Sequence, residues 1–239
     1  MWSSAALYTN PSSSLSPSLL ASPASPEKNI NALIRSHFAA HNPNAILALF
    51  SQAPSQPTSS LYCIRPTRAL LTSILSHCAT DASEVILSIG SASGLLEYLL
   101  QWLADETGAG VGVRGVDVAR TNVFLDEGTE DGERGFVWLP SGKPSDERFT
   151  STTVLFTSYL RRPSILLDYM SACPVAHTII TVGPISEDPG SIDDNVKRGL
   201  EGWGSVVWVG KPEGLQDWER MSVWRRRRGI TVIRGLGCI

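Results

Sequence analysis

From residue 85 onward, short apolar runs alternate with stretches of helical periodicity, and the alternation predicts strands and helices in turn. The runs 85–89, 111–118, 135–139, 153–157 and 177–182 have strand length, and 85–89 is apolar enough for a strand covered on both faces. Helices are predicted over 95–103, 164–171 and 192–199. Such an order implies a parallel sheet with helices on both faces. The last two runs, 205–209 and 221–226, have no long helix between them, which favours antiparallel pairing. The expected fold class is α/β, a Rossmann-like doubly wound sheet of about seven strands with the last strand antiparallel, plus N-terminal helices.

Those helices are predicted over 28–40, 44–51 and 66–78, with Pro54 and Pro57 breaking the chain between the second and third. Ile30, Leu33, Ile34 and Phe38 recur at helical spacing and define a face that packs on the rest of the protein. Residues 1–26 are rich in Ser, Pro and Ala and hold no Lys or Arg. They suit neither a secretory nor a mitochondrial leader, and a disordered tail is expected. The chain thus divides into a 1–26 tail, a 27–80 helical segment that is a candidate lid, and a main domain over 81–239.

A net charge of −3 argues against general nucleic-acid affinity, and no apolar run reaches the roughly 18–20 residues of a membrane span. Cys63, Cys78, Cys173 and Cys238 are far apart and form no C-x-x-C pair, so reduced thiols and a cytoplasmic location are expected. His37 and His41 lie four apart without an evident third ligand, and no metal site is expected. The run Arg225-Arg226-Arg227-Arg228 falls at the end of the last strand. Alternation there sends its side chains to opposite faces, so it reads as a solvated strand end or a partner for local acids.

The candidate chemistry centres on Val85-Ile86-Leu87-Ser88-Ile89-Gly90-Ser91-Ala92-Ser93-Gly94-Leu95-Leu96-Glu97. An apolar strand ends in a small-residue loop that opens a helix, an arrangement that lets a ligand approach backbone N–H groups. A P-loop needs a Lys-Ser/Thr pair that is missing here. The dinucleotide pattern G-x-G-x-x-G needs Gly at 92 and Gly or Ala at 95, where the chain has Ala92 and Leu95. The spacing G-x-G-x-G is met by Gly90 and Gly94, with Ala92 in the middle place.

With Ile64-Arg65-Pro66-Thr67-Arg68-Ala69-Leu70-Leu71 ahead of it, this block resembles fungal-type class I S-adenosylmethionine (SAM) dependent methyltransferase-like proteins, over roughly residues 60–228. The resemblance implies SAM as cofactor, with Gly90, Ser91, Ala92 and Gly94 along its methionine part. It implies that Asp117, 23 residues after Gly94, accepts hydrogen bonds from the ribose hydroxyls, as a carboxylate can. Trp138 would stack near the adenine. Ser158 and Tyr159 follow the fourth strand, and together with Tyr62 and Arg65 they are the candidate substrate contacts. No catalytic residue is assigned, because His77 and His177 sit at the amino ends of strands, the wrong edge of the sheet.

The implied activity is methyl transfer to a small molecule, as in specialised metabolism, with no nucleic-acid or membrane partner. Two departures bear on it. Ser88 stands where the family usually carries an acid, and Ala92 replaces a glycine. They leave open a catalytically inactive methyltransferase-like partner protein, and a fold reused for another reaction such as cyclisation.

Overall fold

The computed structural model describes residues 26–51, 59–78, 84–127, 134–144 and 149–227. Apart from Pro26, the expected tail lies outside them. Three helices, α1 (Pro26–Ala39), α2 (Pro43–Ser51) and α3 (Arg68–Ser76), precede the sheet. There follow β1 (Glu84–Ile89), α4 (Leu95–Thr107), β2 (Val111–Asp117), β3 (Gly135–Trp138), β4 (Val154–Ser158), α5 (Ile165–Ala172) and β5 (Thr178–Pro184). A short turn of helix α6 (Pro189–Ile192), α7 (Asp194–Trp203), β6 (Gly204–Gly210) and β7 (Glu219–Arg226) complete the chain.

The seven strands form one sheet in the order β3-β2-β1-β4-β5-β7-β6. Neighbours among β1 to β5 pair parallel, and β7 runs antiparallel to both β5 and β6. The expected mixed sheet with antiparallel terminal pairing is the one observed. Strand order reverses between β1 and β4, so a crevice opens beyond their carboxyl ends, where sheets of this kind hold ligands.

Period two divides the core into two layers. Ile86, Phe156, Ile180 and Val223 face α1–α4, whereas Leu87, Leu155, Ile179 and Trp224 face α5 and α7. Ile34 and Ile46 of α1 and α2 are fully buried in the same cluster as Leu99 of α4. Phe38 meets Tyr98 and Phe124 edge-on at 4.9 and 5.0 Å. The N-terminal helices are therefore built into one layer of the core. Helix α7 is the element displaced most from its expected span. Asp193 caps it by accepting from the N–H groups of Asn195 and Val196, which fixes its start at Asp194.

The arginine run is not a solvated end. Arg225 donates to Thr178 Oγ1 and to the His77 carbonyl, and Arg226 donates to the Pro174 carbonyl, so both tie β7 to neighbouring backbone. Arg228 lies outside the described residues. Among the described residues no helix is long and apolar enough to cross a membrane, and no group of three His, Cys, Asp or Glu is placed to hold a metal.

Candidate functional site

The loop after β1 turns sharply because Gly90 and Gly94 adopt φ of +78° and +81°. Both Gly90 and Ser91 donate their N–H groups to the Val116 carbonyl, at 2.8 and 3.2 Å, which binds the loop to the end of β2. Gly94 is needed for space as well as for conformation. A Cβ there would lie 2.6 Å from Asn122 Oδ1 and 2.9 Å from Leu125. Ala92 holds φ of +49° without being glycine, a strain of about 1 kcal/mol. A carboxylate compensates, because Asp117 Oδ2 accepts the Ala92 N–H at 2.9 Å.

Asp117 is half-buried at the end of β2, and its other oxygen accepts from the Ala119 N–H at 2.9 Å. An ionised carboxylate offers about four acceptor positions, so two backbone bonds leave capacity for ligand hydroxyls. It faces a cavity of about 370 Å³ at the carboxyl edge, lined also by Cys63, Gly90, Ala92, Ser158 and Tyr159. That size lies within the range of small-molecule and cofactor pockets. Val118 and Ile165 add apolar walls, and Arg161 and Arg162 are exposed at its border. A narrower cleft of about 20 Å³ adjoins it and shares Cys63, Gly90, Ala92 and Ser158. Tyr62, Ser91 and Glu97 belong to that cleft.

Burial favours the uncharged forms of Tyr159, Cys63 and Glu97. Burial, followed by the hydrogen bond to Glu219, raises the Tyr159 phenol far above its usual range, so it does not serve as a base near neutral pH. Burial outweighs the nearby Arg161 guanidinium at Cys63 and keeps that thiol protonated. Glu97 is only 2% exposed, and burial pushes its carboxyl up to about 7. His177 pairs with Glu84 at 3.2 Å beside the amino end of β5, and His77 packs against Trp208. Neither histidine lines the cavity.

The structure thus brings together Gly90, Ala92, Asp117, Ser158 and Tyr159, with Ser91 and Tyr62 in the adjoining cleft. Gly94 supports the loop from behind. Two expected site residues lie elsewhere. The Trp138 indole is 41% exposed, donates to the Val118 carbonyl at 3.1 Å and carries the Arg120 guanidinium 3.9 Å above its ring. These contacts hold it outside the lining. Arg65 donates to the Phe50 carbonyl and borders a separate cleft of about 550 Å³ shared with the 213–217 loop. Sequence reasoning missed Cys63 and Glu97. For Glu97 the signal was an acid set among Leu95, Leu96, Leu99 and Leu100 in an otherwise apolar helical stretch. No comparable signal marked Cys63.

Comparison with known proteins adds the fold class. A candidate class I SAM-dependent methyltransferase of Listeria monocytogenes superposes with a TM-score of 0.51 at 8% identity, over 82% of this chain and 71% of that one. The magnesium protoporphyrin IX methyltransferase of Synechocystis PCC 6803, with bound S-adenosylhomocysteine, superposes with a TM-score of 0.46 at 11% identity. That match covers 83% of this chain and 100% of the other. No family model matches the sequence, and no curated protein matches it. The chain has a class I SAM-dependent methyltransferase-like Rossmann fold.

Proposed function

We propose that the protein is a SAM-dependent methyltransferase acting on a small molecule, of the fungal-type group that its sequence resembles, and working in the cytoplasm in specialised metabolism. The observation that carries this reading is the Asp117 carboxylate, fixed to the Ala92 amide at the strand-order reversal and facing a cavity of about 370 Å³. The residues present fit the cofactor. Asp117 supplies acceptors for ribose hydroxyls, Val118 and Ile165 supply apolar walls for a base, and Gly90, Ser91 and Ala92 border the methionine end. When bound, SAM supplies an electrophilic methyl group on a sulfonium. The chain's own contribution is alignment and exclusion of water.

The pocket also favours a class of acceptor. Among the described residues its lining holds no histidine, and Tyr159 is a neutral phenol already donating to Glu219. Deprotonating an aliphatic alcohol needs a free base, and the one carboxylate in this lining, Asp117, is tied to the Ala92 and Ala119 amides. Acceptors that are nucleophilic near neutral pH, such as thiols, amines and acidic phenols, suit it better. A panel of defined thiols, amines, phenols and aliphatic alcohols, assayed with methyl-tritiated SAM, tests this. Label is expected in members of the first three classes and not in the alcohols. Tight SAM binding with no transfer to any member would favour the methyltransferase-like partner protein, a reading to which Ser88 and the strained Ala92 already lend weight.

A further inference from the structure

β4 ends at Ser158, and the chain leaves it through Tyr159 at φ of +51°, a left-handed conformation that bulky residues rarely enter. Two bonds hold this turn. The Tyr159 N–H donates to the Val182 carbonyl at 2.9 Å, and the Tyr159 phenol donates to Glu219. The turn lays Leu160, Arg161 and Arg162 along the wall of the main cavity. Both arginines are exposed, and among the described residues neither donates a side-chain hydrogen bond or forms an ion pair. Elsewhere Arg68, Arg134 and Arg220 pair with Glu106, Asp105 and Asp188. The two adjacent arginines take different places in the wall. A Cβ on Gly142 would lie 3.9 Å from Arg162 Nη2 and would also meet Val118 and Ile165, which places Arg162 on the apolar side. Arg161 instead acts on Cys63, which shares the main cavity and the adjoining cleft with Ser158.

The other charged groups that act on this side are already engaged or lie outside the wall. Asp117 and Glu97 act on Cys63, but Asp117 is tied to two amides and Glu97 is enclosed beside Ser88. Glu219 and Glu187 act on Tyr159. Glu219 accepts the phenol and the Gln216 N–H, and Glu187 lines a separate small recess. Asp168 acts on Tyr169 from the exposed side of α5. Arg65 acts on Tyr62, yet it donates to the Phe50 carbonyl and borders the other cleft. Arg161 is therefore the unengaged charge where Cys63, Ser158 and Tyr159 meet. We propose that Arg161 sets the specificity for the acceptor by holding a carboxylate on the molecule to be methylated. Paired guanidinium N–H groups match the two oxygens of a carboxylate. The inference rests on the methyltransferase reading above and narrows its acceptors to anionic ones. A carboxylate there also screens Arg161 from the sulfonium, since two positive charges in one cavity repel.

Cys63 is a reporter in the same wall. Its thiolate displaces iodide from iodoacetate, an anion, and from iodoacetamide, which is neutral. The ratio of the two rates at the Cys63 peptide cancels the ionisation of the thiol. In the folded, ligand-free full chain that ratio is expected to exceed the urea-unfolded value about tenfold. Arg161→Gln, or about 1 M salt, is expected to return it to the unfolded value, and Arg161→Lys to keep most of it. For turnover with methyl-tritiated SAM, mercaptopropionate, para-hydroxybenzoate and para-aminobenzoate are each compared with their amides. Arg161→Gln is expected to raise KM for the preferred carboxylate about tenfold and to leave its amide unaffected. Its affinity for S-adenosylhomocysteine is expected to stay within about fivefold of wild type. An iodoacetate preference that is absent, or that survives Arg161→Gln, would overturn the proposal and leave the cofactor reading standing. So would transfer to no carboxylate, or to the amides equally well. Weakened S-adenosylhomocysteine binding in Arg161→Gln without the KM effect would assign the arginine to the cofactor's own carboxylate and overturn it too. Failure of the folded wild type to bind S-adenosylhomocysteine would overturn both readings.

Discussion

Replacing Glu97 with Gln is expected to stabilise the ligand-free fold at pH 8 relative to its effect at pH 5. Glu97 is 2% exposed, and burial lifts its carboxyl from 4.5 in the unfolded chain to about 7 in the fold. The native state therefore holds the proton more tightly than the unfolded state. Stability from this group is fully present below about 4.5 and is lost as pH rises towards about 7. The difference of some 2.5 units, at about 1.4 kcal/mol each, makes the loss about 3 kcal/mol. The amide has the same shape and no charge, and its oxygen still accepts from Ser88 Oγ. Its NH2 group inherits the missing partner of Oε2, at a cost of about 1 kcal/mol that does not vary with pH. The melting-temperature difference between variant and wild type should therefore grow by roughly 6–12 °C between pH 5 and pH 8.5. Thermal melts followed by circular dichroism across that range measure it. Melting temperatures that run parallel, their difference constant to within about 2 °C, would refute a buried carboxyl titrating near neutrality.

Other expectations test the loop and its surroundings. Gly94→Ala places a methyl 2.6 Å from Asn122 Oδ1 at φ of +81°, and urea unfolding should show a loss of about 2 kcal/mol or more. Ala92→Gly relieves φ of +49° and should leave stability within about 1 kcal/mol or raise it, whereas a mid-helix Ala→Gly change lowers it. Cys63 lines the cavity and is exposed, while Cys78 and Cys173 are buried. Peptide mapping after iodoacetamide treatment should show Cys63 alkylated ahead of those two, faster at pH 9 than at pH 7 as more of its raised thiol ionises. S-adenosylhomocysteine should slow that alkylation, and an unaltered rate under saturating ligand would place the ligand elsewhere.

The sheet was legible because its central strands are buried on both faces and stand out as unbroken apolar runs. β1 and β4 begin within one residue of their expected starts. The terminal antiparallel pair was legible from a missing crossover helix. Helix α7 was less so, because only Val196 and Leu200 anchor its buried face and its start is set by the Asp193 cap. Within the site, Asp117 was readable because strand geometry alone puts a strand-end residue at the carboxyl edge. Trp138 sits at an equivalent strand end, but its ring direction is decided by Arg120 and the Val118 carbonyl, which lie outside its own strand. Arg65 and Cys63 are two residues apart, yet they border different cavities. Pattern does not encode where an irregular segment turns. Glu97 escaped notice because an acid in a helix's first turn ordinarily faces solvent and complements the dipole. Only its packing reveals it as buried.

The central claim is that the crevice around Asp117 holds SAM. The most direct measurement is calorimetric titration of S-adenosylhomocysteine into the wild type and into Asp117→Asn, which keeps one acceptor oxygen for the loop but loses the charge. The account predicts micromolar or tighter binding by the wild type, weakened about tenfold or more in the variant while its melt remains cooperative. No heat of binding from a folded wild type, or equal affinity in the two proteins, would contradict it.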